Sequence, residues 1–185
     1  MECPISQELL DVLSLNHSND FLLNIFLGWN TKEFRTILRY SIENNYRLDE
    51  IKELVIPIQG LEVACDIKNV DLIKYYLSKL KYVDDIAFNF CLDSEIFQLL
   101  EPQLSLPKSL LCYVIRNDLE NIKRVLELNP INIQEGFILS LTYGDIDSIQ
   151  VFIDTKRIDI LSGLEIISKI KNGNPDLVSL LLRNI

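Results

Sequence analysis

Histidine is nearly absent from this chain of 185 residues, and the familiar catalytic and nucleotide-binding motifs are missing. The one histidine, His17, lies in a polar segment typical of a connection between helices. A histidine-rich metal site is therefore excluded, and a Ser-His-Asp or Cys-His mechanism would depend on His17 alone. The sequence contains no G-x-G-x-x-G, Walker A, H-E-x-x-H or G-x-S-x-G pattern. We predict no catalytic, metal-binding or cofactor-binding residue and no cofactor, and we expect a protein that is not an enzyme.

Cysteine is scarce as well, and the four residues form no C-x-x-C pair, which argues against a zinc ribbon or a thioredoxin-like site. Cys65, Cys91 and Cys112 lie in apolar stretches, where a thiol behaves as a small buried hydrophobe and fits a reducing compartment. The chain starts without the segments of a signal peptide, and no apolar stretch is long enough to cross a bilayer. We expect a soluble cytoplasmic protein without a membrane partner. A cysteine of low pKa would favour an enzyme instead.

Glycine and proline are few, with six of each, and basic residues are outnumbered. So few turn-forming residues argue against a sandwich or barrel of short strands. The chain has 18 Lys and Arg against 27 Asp and Glu, a formal net charge of −9. Such a charge repels phosphate backbones and anionic lipid, so nucleic acid is not an expected partner. Hydrophobic residues make up 48%, enough for an ordered chain, and the length predicts one domain over residues 1–185.

The sequence does contain a repeat of ten residues with a polar start and an apolar end. Four segments carry the repeat clearly: 68–77, 117–126, 144–153 and 173–182. Three further segments carry it weakly: 29–38, 46–55 and 91–100. The sixth, ninth and tenth positions are apolar in all seven segments, and this spacing places them on one face of a helix.

The polar start of the four clear repeats predicts where each helix begins. The second position holds residue types whose side chains cap the first amides of a helix. These residues are Asn69, Asp118, Asp145 and Asn174. An acid follows two positions later, at the positive end of the helix dipole. Gly144 and Gly173 at the first position indicate a tight turn before the cap.

A second apolar segment of helix length precedes five of these repeats, so the predicted unit is a pair of helices joined by a short polar turn. The preceding segments are 60–67, 84–90, 108–116, 135–143 and 163–171. Neither helix buries its apolar face alone, whereas stacked pairs form a continuous core. The sequence therefore predicts an all-α solenoid of about five to six helix pairs without a substantial sheet.

This unit resembles the ankyrin repeat, whose second helix commonly reads Gly, a polar residue, an apolar residue, Glu and then Ile-Val-x-Leu-Leu. Residues 173–182 match that pattern well, and the other three clear repeats match it moderately. The runs 129–133 and 157–160 look like the Ala-Asp-Ile-Asn-type segment that follows the second helix in the family. The resemblance covers residues 60–185, and 20–59 more weakly. It implies a non-enzymatic protein-protein interaction module.

The chain departs from the family in two respects. No copy contains the Thr-Pro-Leu-His-x-Ala signature, and the copies follow one another at 17 to 29 residues, short of the roughly 33 of a standard repeat. We expect the β-hairpins to be reduced or absent. Residues 60–185 should hold the better-defined repeats, and 1–59 a divergent N-terminal cap and first units.

Shortened repeats of this kind look like those of large DNA viruses, including African swine fever virus, poxviruses and giant viruses, and of effectors of intracellular bacteria. That likeness implies a host protein as the partner, bound in the host cytoplasm to modulate innate immunity or protein degradation. The alternative function is that of a structural, self-assembling helical-repeat protein. We expect the chain to be a monomer or to self-associate weakly.

Four aromatic residues are candidates for partner binding: Trp29, Tyr82, Tyr113 and Tyr143. The three tyrosines lie in or near the first helix of a pair and its loop. In ankyrin-like stacks that side is the concave surface that usually meets the partner, and aromatic side chains there are plausible anchors. Trp29 fits either the core of the first unit or an exposed anchor.

Overall fold

The computed structural model of the chain describes residues 36, 38–42, 48–143, 145–169 and 175–185. Trp29, Gly144, Gly173 and Asn174 lie outside these ranges, as does most of the weak repeat 29–38. Every regular element in the described ranges is helical and none is a strand, which confirms the all-α prediction there. No helix in the same ranges is long and apolar enough to cross a membrane.

The helices follow the predicted alternation. Helix α1 spans Leu48–Leu54, and residues 38–42 are also helical. The helices after α1 come in pairs, and we call the two members of a pair its first and second helix. The first helices are α2 (Pro57–Asp66), α4 (Asp84–Asn89), α6 (Leu106–Arg116), α8 (Ile133–Tyr143) and α10 (Ile160–Lys169). The second helices are α3 (Val70–Leu77), α5 (Ser94–Leu100), α7 (Leu119–Glu127), α9 (Ile146–Asp154) and α11 (Pro175–Leu182). A 3-10 helix, Glu101–Gln103, follows α5.

The chain divides into two compact units, residues 1–80 and 81–185. In the first unit, α2 and α3 pack against each other as a helix pair. In the second unit, each first helix packs against the next one along the chain, α4 on α6, α6 on α8 and α8 on α10. The second helices α7 and α9 also pack together. Neighbouring pairs of the second unit therefore share a core, and the single domain over residues 1–185 stays a prediction.

The fourth residue of each of these first helices is small. These residues are Gly60, Ala87, Ser109, Gly136 and Gly163. A Cβ atom at Gly163 would lie 2.7 Å from Phe137 of the preceding first helix, and one at Gly136 would lie 3.1 Å from Leu110. Consecutive first helices of the second unit thus approach closely because one side chain at the contact is absent or short.

Side-chain caps begin the second helices, as the sequence predicts. The Oδ1 atom of Asn69 accepts a hydrogen bond from the amide three residues on, at 3.1 Å, and Asp118 and Asp145 cap α7 and α9 in the same way. The residue before the cap, Lys68 or Asn117, has a positive φ of 55°. Glycine, which adopts a positive φ at least cost, stands at that position in the sequence of the other two clear repeats.

Hydrogen bonds join successive pairs of the second unit. The Asp159 amide donates to Gln134 Oε1 at 2.7 Å, and Gln134 Nε2 donates to the Asp159 carbonyl at 3.2 Å. Asn117 Nδ2 donates to Asp145 Oδ2, and Ser148 Oγ donates to Asn117 Oδ1, both at 2.8 Å. These partners are 25 to 31 residues apart, about one repeat. The polar contacts therefore follow the same interval as the apolar pattern.

Candidate partner-binding groove

The structure places the predicted partner-binding tyrosines in different environments. Tyr82 and Tyr143 are 55% and 58% exposed, as an interface anchor requires. Tyr113 is only 3% exposed, because it lies on the inner side of α6 and its ring packs edge-on against Phe97, with ring centroids 6.1 Å apart. Tyr113 is thus not an exposed anchor. Trp29 lies outside the described residues.

Tyr113 instead lines a groove on the second unit, between the 3-10 helix, α6 and α7. The groove has a volume of about 420 Å³. Pro102 lies at the start of the 3-10 helix, and because proline has no amide hydrogen to donate, α5 does not continue past Leu100. The apolar part of the lining is Pro102, Leu104, Leu106, Val125 and Leu128.

The rim of the groove carries an apolar side chain that has no cover in the structure. Leu128 follows α7 and is 62% exposed. Large apolar side chains that stand at the mouth of an apolar groove are typical of protein-binding surfaces, where they are buried on association. Leu128 and the apolar part of the lining therefore make this groove a candidate site for an apolar side chain of a partner.

The polar part of the lining is organised around the Tyr113 hydroxyl. This hydroxyl donates a hydrogen bond to the Glu101 carboxylate, and Arg124 Nη2 lies 3.4 Å from it. Burial, followed by the hydrogen bond to Glu101, raises the pKa of Tyr113 to about 12, so the hydroxyl stays protonated at neutral pH. The Tyr113 hydroxyl therefore links the two charged groups, because it donates to Glu101 and accepts from Arg124.

Two thiols lie in the core of the second unit, Cys112 in α6 and Cys91 in the turn after α4. Cys91 and Cys112 are free and buried, and the thiols of the two residues interact. The neighbouring thiol of Cys112, and then the positive charge of Arg116, lower the pKa of Cys91. The same contact raises the pKa of Cys112. Arg116 also donates to the Cys91 carbonyl, and its guanidinium lies 4.5 Å from the centre of the Phe97 ring.

A lowered thiol pKa is one property expected of a nucleophilic cysteine. Access is the second requirement, because a nucleophile must touch the atom that it attacks. Cys91 is 3% exposed, and it does not line the groove. Cys91 therefore has a lowered thiol pKa but a closed environment, and the two thiols form a packed contact within the core.

The first unit has a larger groove of about 540 Å³. Its lining is more polar and includes Arg39, Asp66, Lys68 and Asn69. Among the described residues of the first unit, none of the large apolar side chains that are exposed lines it. The groove at Tyr113 is therefore the better candidate for binding an apolar side chain.

No group of three or more His, Cys, Asp and Glu side chains is placed to hold a metal ion in the described part of the chain. The comparison with known proteins adds no assignment, because no family model, no curated protein and no solved structure matches this chain.

Proposed function

We propose that this chain is a divergent ankyrin-like repeat protein with reduced hairpins, and that it acts as a non-enzymatic protein-interaction module. The observation that carries the proposal is the apolar groove at Tyr113, with the exposed Leu128 at its rim. The serial packing of α4, α6, α8 and α10 supports a solenoid in the second unit. The hydrogen bonds between positions about one repeat apart support it independently.

The partner that fits this surface is a protein segment with an apolar side chain and basic neighbours. The apolar side chain would fill the groove against Leu104 and Val125, which line it. Residues 81–185 contain 15 Asp and Glu against 10 Lys and Arg, so a basic segment would be attracted to this unit. Such a field speeds association and weakens as salt is added. The resemblance to viral and effector repeats makes a host protein the first partner to test.

The test compares two exposed leucines. Leu128 is at the groove and Leu92, in the turn before α5, is 73% exposed and does not line it. Proteins captured from host-cell lysate by the wild type, Leu128→Gln and Leu92→Gln are quantified, and the partner identified in this way is purified for calorimetry. We expect Leu128→Gln to weaken binding at least tenfold, Leu92→Gln to leave it unchanged, and added salt to weaken it.

Equal affinities of the Leu128→Gln and Leu92→Gln variants for the purified partner would exclude the groove as the binding site. Binding that strengthens with salt would exclude a basic segment as its ligand. The exposed tyrosines offer a second comparison, because Tyr82→Ala and Tyr143→Ala alter predicted anchors that do not line the groove. A loss of binding in these variants alone would move the interface to the loop before α4 and the end of α8.

A further inference from the structure

The two thiols in the core of the second unit belong to different elements of the fold. Cys91 lies in the turn after α4 and Cys112 lies within α6, and α4 packs against α6. The two side chains are in contact, and each is at most 3% exposed. A disulfide requires two cysteines whose side chains already lie close together and point toward each other. A bond between these two sulfur atoms would therefore join the turn to α6 without rearranging the core.

The surroundings of the pair give its two thiols different properties. Arg116, one turn after Cys112 in α6, donates a hydrogen bond to the Cys91 carbonyl. The Cys112 thiol and the positive charge of Arg116 lower the pKa of Cys91, and the same contact raises the pKa of Cys112. Cys91 is thus the better nucleophile, and Cys112 is positioned as a resolving thiol beside it.

Access to Cys91 depends on α4 and on the turn that follows it. Helix α4 has only six residues, and no side-chain cap begins it. The Cys91 amide lies 3.5 Å from the Phe88 carbonyl, at the long limit of a hydrogen bond. The next residue, Leu92, is 73% exposed. Local opening of this turn breaks few contacts, and it would admit a small oxidant to the sulfur of Cys91.

We propose that Cys91 and Cys112 are a redox-sensitive pair that forms a disulfide when the chain meets hydrogen peroxide. The Cys91 thiolate attacks one oxygen of the peroxide, the O–O bond breaks, and the departing hydroxide takes up a proton to form water. Cys91 is then a sulfenic acid. The Cys112 sulfur attacks the Cys91 sulfur, the S–O bond breaks, and the Cys112 proton leaves with the hydroxide as a second water. Two thiols are thereby oxidised by two electrons, and one peroxide is reduced to two waters.

The disulfide would change the stability of the second unit reversibly. A cross-link between the turn after α4 and α6 restricts the unfolded chain and so stabilises the folded one. In a reducing compartment the pair stays as two thiols until peroxide is present, and a dithiol reductant restores it afterwards. The inference is independent of the groove and of its partner.

The test treats the folded chain with hydrogen peroxide, blocks the remaining thiols with N-ethylmaleimide and maps disulfides by mass spectrometry after digestion with trypsin. Lys108 separates the two cysteines, so they lie in different tryptic peptides, 82–108 and 109–116. We expect these peptides to be joined after oxidation and released by dithiothreitol. Cys112→Ala should leave a sulfenic acid on Cys91 that reacts with dimedone. The matched control is Cys65→Ala, which removes a buried cysteine of the first unit and should leave the joined peptides unchanged.

The wild type alone provides the decisive comparison, because it does not depend on how a variant folds. The joined peptides should form at least about tenfold faster in the folded chain than in urea, since the core holds the two sulfur atoms together. The oxidised wild type should also unfold at a higher urea concentration than the reduced one. Equal rates of joining in the folded and unfolded chain would overturn the proposal. So would a peroxide-treated chain in which Cys91 and Cys112 both carry N-ethylmaleimide.

Discussion

Two helix pairs fill the same packing position with different residues, α2–α3 in the first unit and α8–α9 in the second. The seventh residue of the second helix is fully buried in both, Tyr76 in α3 and Phe152 in α9. Each ring lies over the glycine at the fourth position of the first helix, Gly60 or Gly136. The two pairs thus share one packing geometry. They differ in how closely the ring approaches the glycine and in whether the ring carries a hydroxyl group.

The approach is closer in α2–α3. A Cβ atom at Gly60 would overlap the Tyr76 ring, with 2.7 Å to its Cε2 atom and less to two others, whereas at Gly136 the nearest Phe152 atoms would be 3.1 Å away. The hydroxyl of Tyr76 is buried and has no hydrogen-bond partner among the described residues. Burial raises the pKa of Tyr76, so the hydroxyl is protonated and its donor is unused. In the α2–α3 pair the ring therefore packs more closely against the glycine, and its hydroxyl has no hydrogen-bond partner among the described residues.

The largest effect is expected from Gly60→Ala. The added methyl group would force Tyr76 and α3 outward, because the overlap is with ring carbons in a packed core, and we expect a loss of about 3 kcal/mol in the free energy of unfolding. Gly136→Ala should change that free energy by less than about 1 kcal/mol, since a milder contact is offset by the better helix propensity of alanine. Urea denaturation followed by circular dichroism measures both.

Hydrogen exchange provides the control for Gly60→Ala, because the loss should appear in amides of α2 and α3. A cost of Gly136→Ala equal to that of Gly60→Ala would show that the two pairs are equally tight. The combination of Gly60→Ala with Tyr76→Leu should recover part of the loss, as expected for two residues in direct contact.

The second effect is expected from exchanging the two rings. Tyr76→Phe removes a buried hydroxyl that lacks a partner among the described residues, so we expect stability to rise by about 1 to 2 kcal/mol. Phe152→Tyr should lower it by a similar amount, because it introduces such a hydroxyl into the α8–α9 pair. Tyr82→Phe, at an exposed position, is the matched control and should have no effect. Destabilisation by Tyr76→Phe would mean that the hydroxyl is hydrogen-bonded.

The alternation of helices and turns could be predicted from the sequence because the signals for it are local. Apolar residues at helical spacing and a capping side chain both act within one or two turns of chain. The sixth residues of three clear repeats, Ile73, Ile122 and Ile149, are fully buried as predicted. In the weak repeat 91–100 the cap is Asp93, which accepts from the Ile96 amide, one residue later in the repeat than the predicted position. The bounds of this weak repeat follow from its apolar positions, and with those bounds the capping residue is the third residue instead of the second.

The parts that could not be predicted depend on what a residue meets in space. Leu182 has the same place in its repeat as Ile153, yet it is 59% exposed whereas Ile153 is buried. The groove depends on how closely the 3-10 helix approaches α7. One signal for the close approach of the first helices lies in the sequence itself, namely small residues at intervals of 22 or 27 between Gly60 and Gly163. This series includes Ala87 and Ser109 as well as glycines. No single residue type therefore repeats at these intervals, and the pattern is hard to recognise in the sequence.

The third effect, about 1 kcal/mol, is expected from the caps of α3 and α9. Asn69→Ala and Asp145→Ala each remove the acceptor of a helix-start amide. They should differ in pH dependence, because Asn69 does not titrate. Hydrogen bonds from the Ser148 amide and from Asn117 lower the pKa of Asp145. Its folded pKa is below its unfolded value, so the contribution is present above about pH 4 and is lost as the pH falls through the folded pKa.

Urea denaturation at neutral and at acid pH measures this difference between the caps. We expect the cost of Asp145→Ala to shrink in acid and the cost of Asn69→Ala to stay constant. Asp145→Asn keeps a capping side chain and serves as the control, so its stability relative to the wild type should rise in acid. An acid-independent cost of Asp145→Ala would contradict a lowered pKa at this cap.

The smallest effect is expected at the residues before the caps, where Lys68 and Asn117 share a φ of 55°. A left-handed backbone costs a residue with a Cβ atom about 1 kcal/mol, and part of the gain from glycine is lost to the entropy of the unfolded chain. Lys68→Gly should therefore stabilise by about 0.5 kcal/mol. Asn117→Gly should destabilise instead, because asparagine tolerates this conformation and its side chain bonds to Asp145 and Ser148.

Lys68→Ala separates the backbone effect from the side-chain effect, since it removes the lysine side chain beyond the Cβ atom. Urea denaturation of the three variants should show a gain for Lys68→Gly alone. A gain of equal size in Lys68→Ala would assign the effect to the lysine side chain, and the two turns would then not share one backbone requirement.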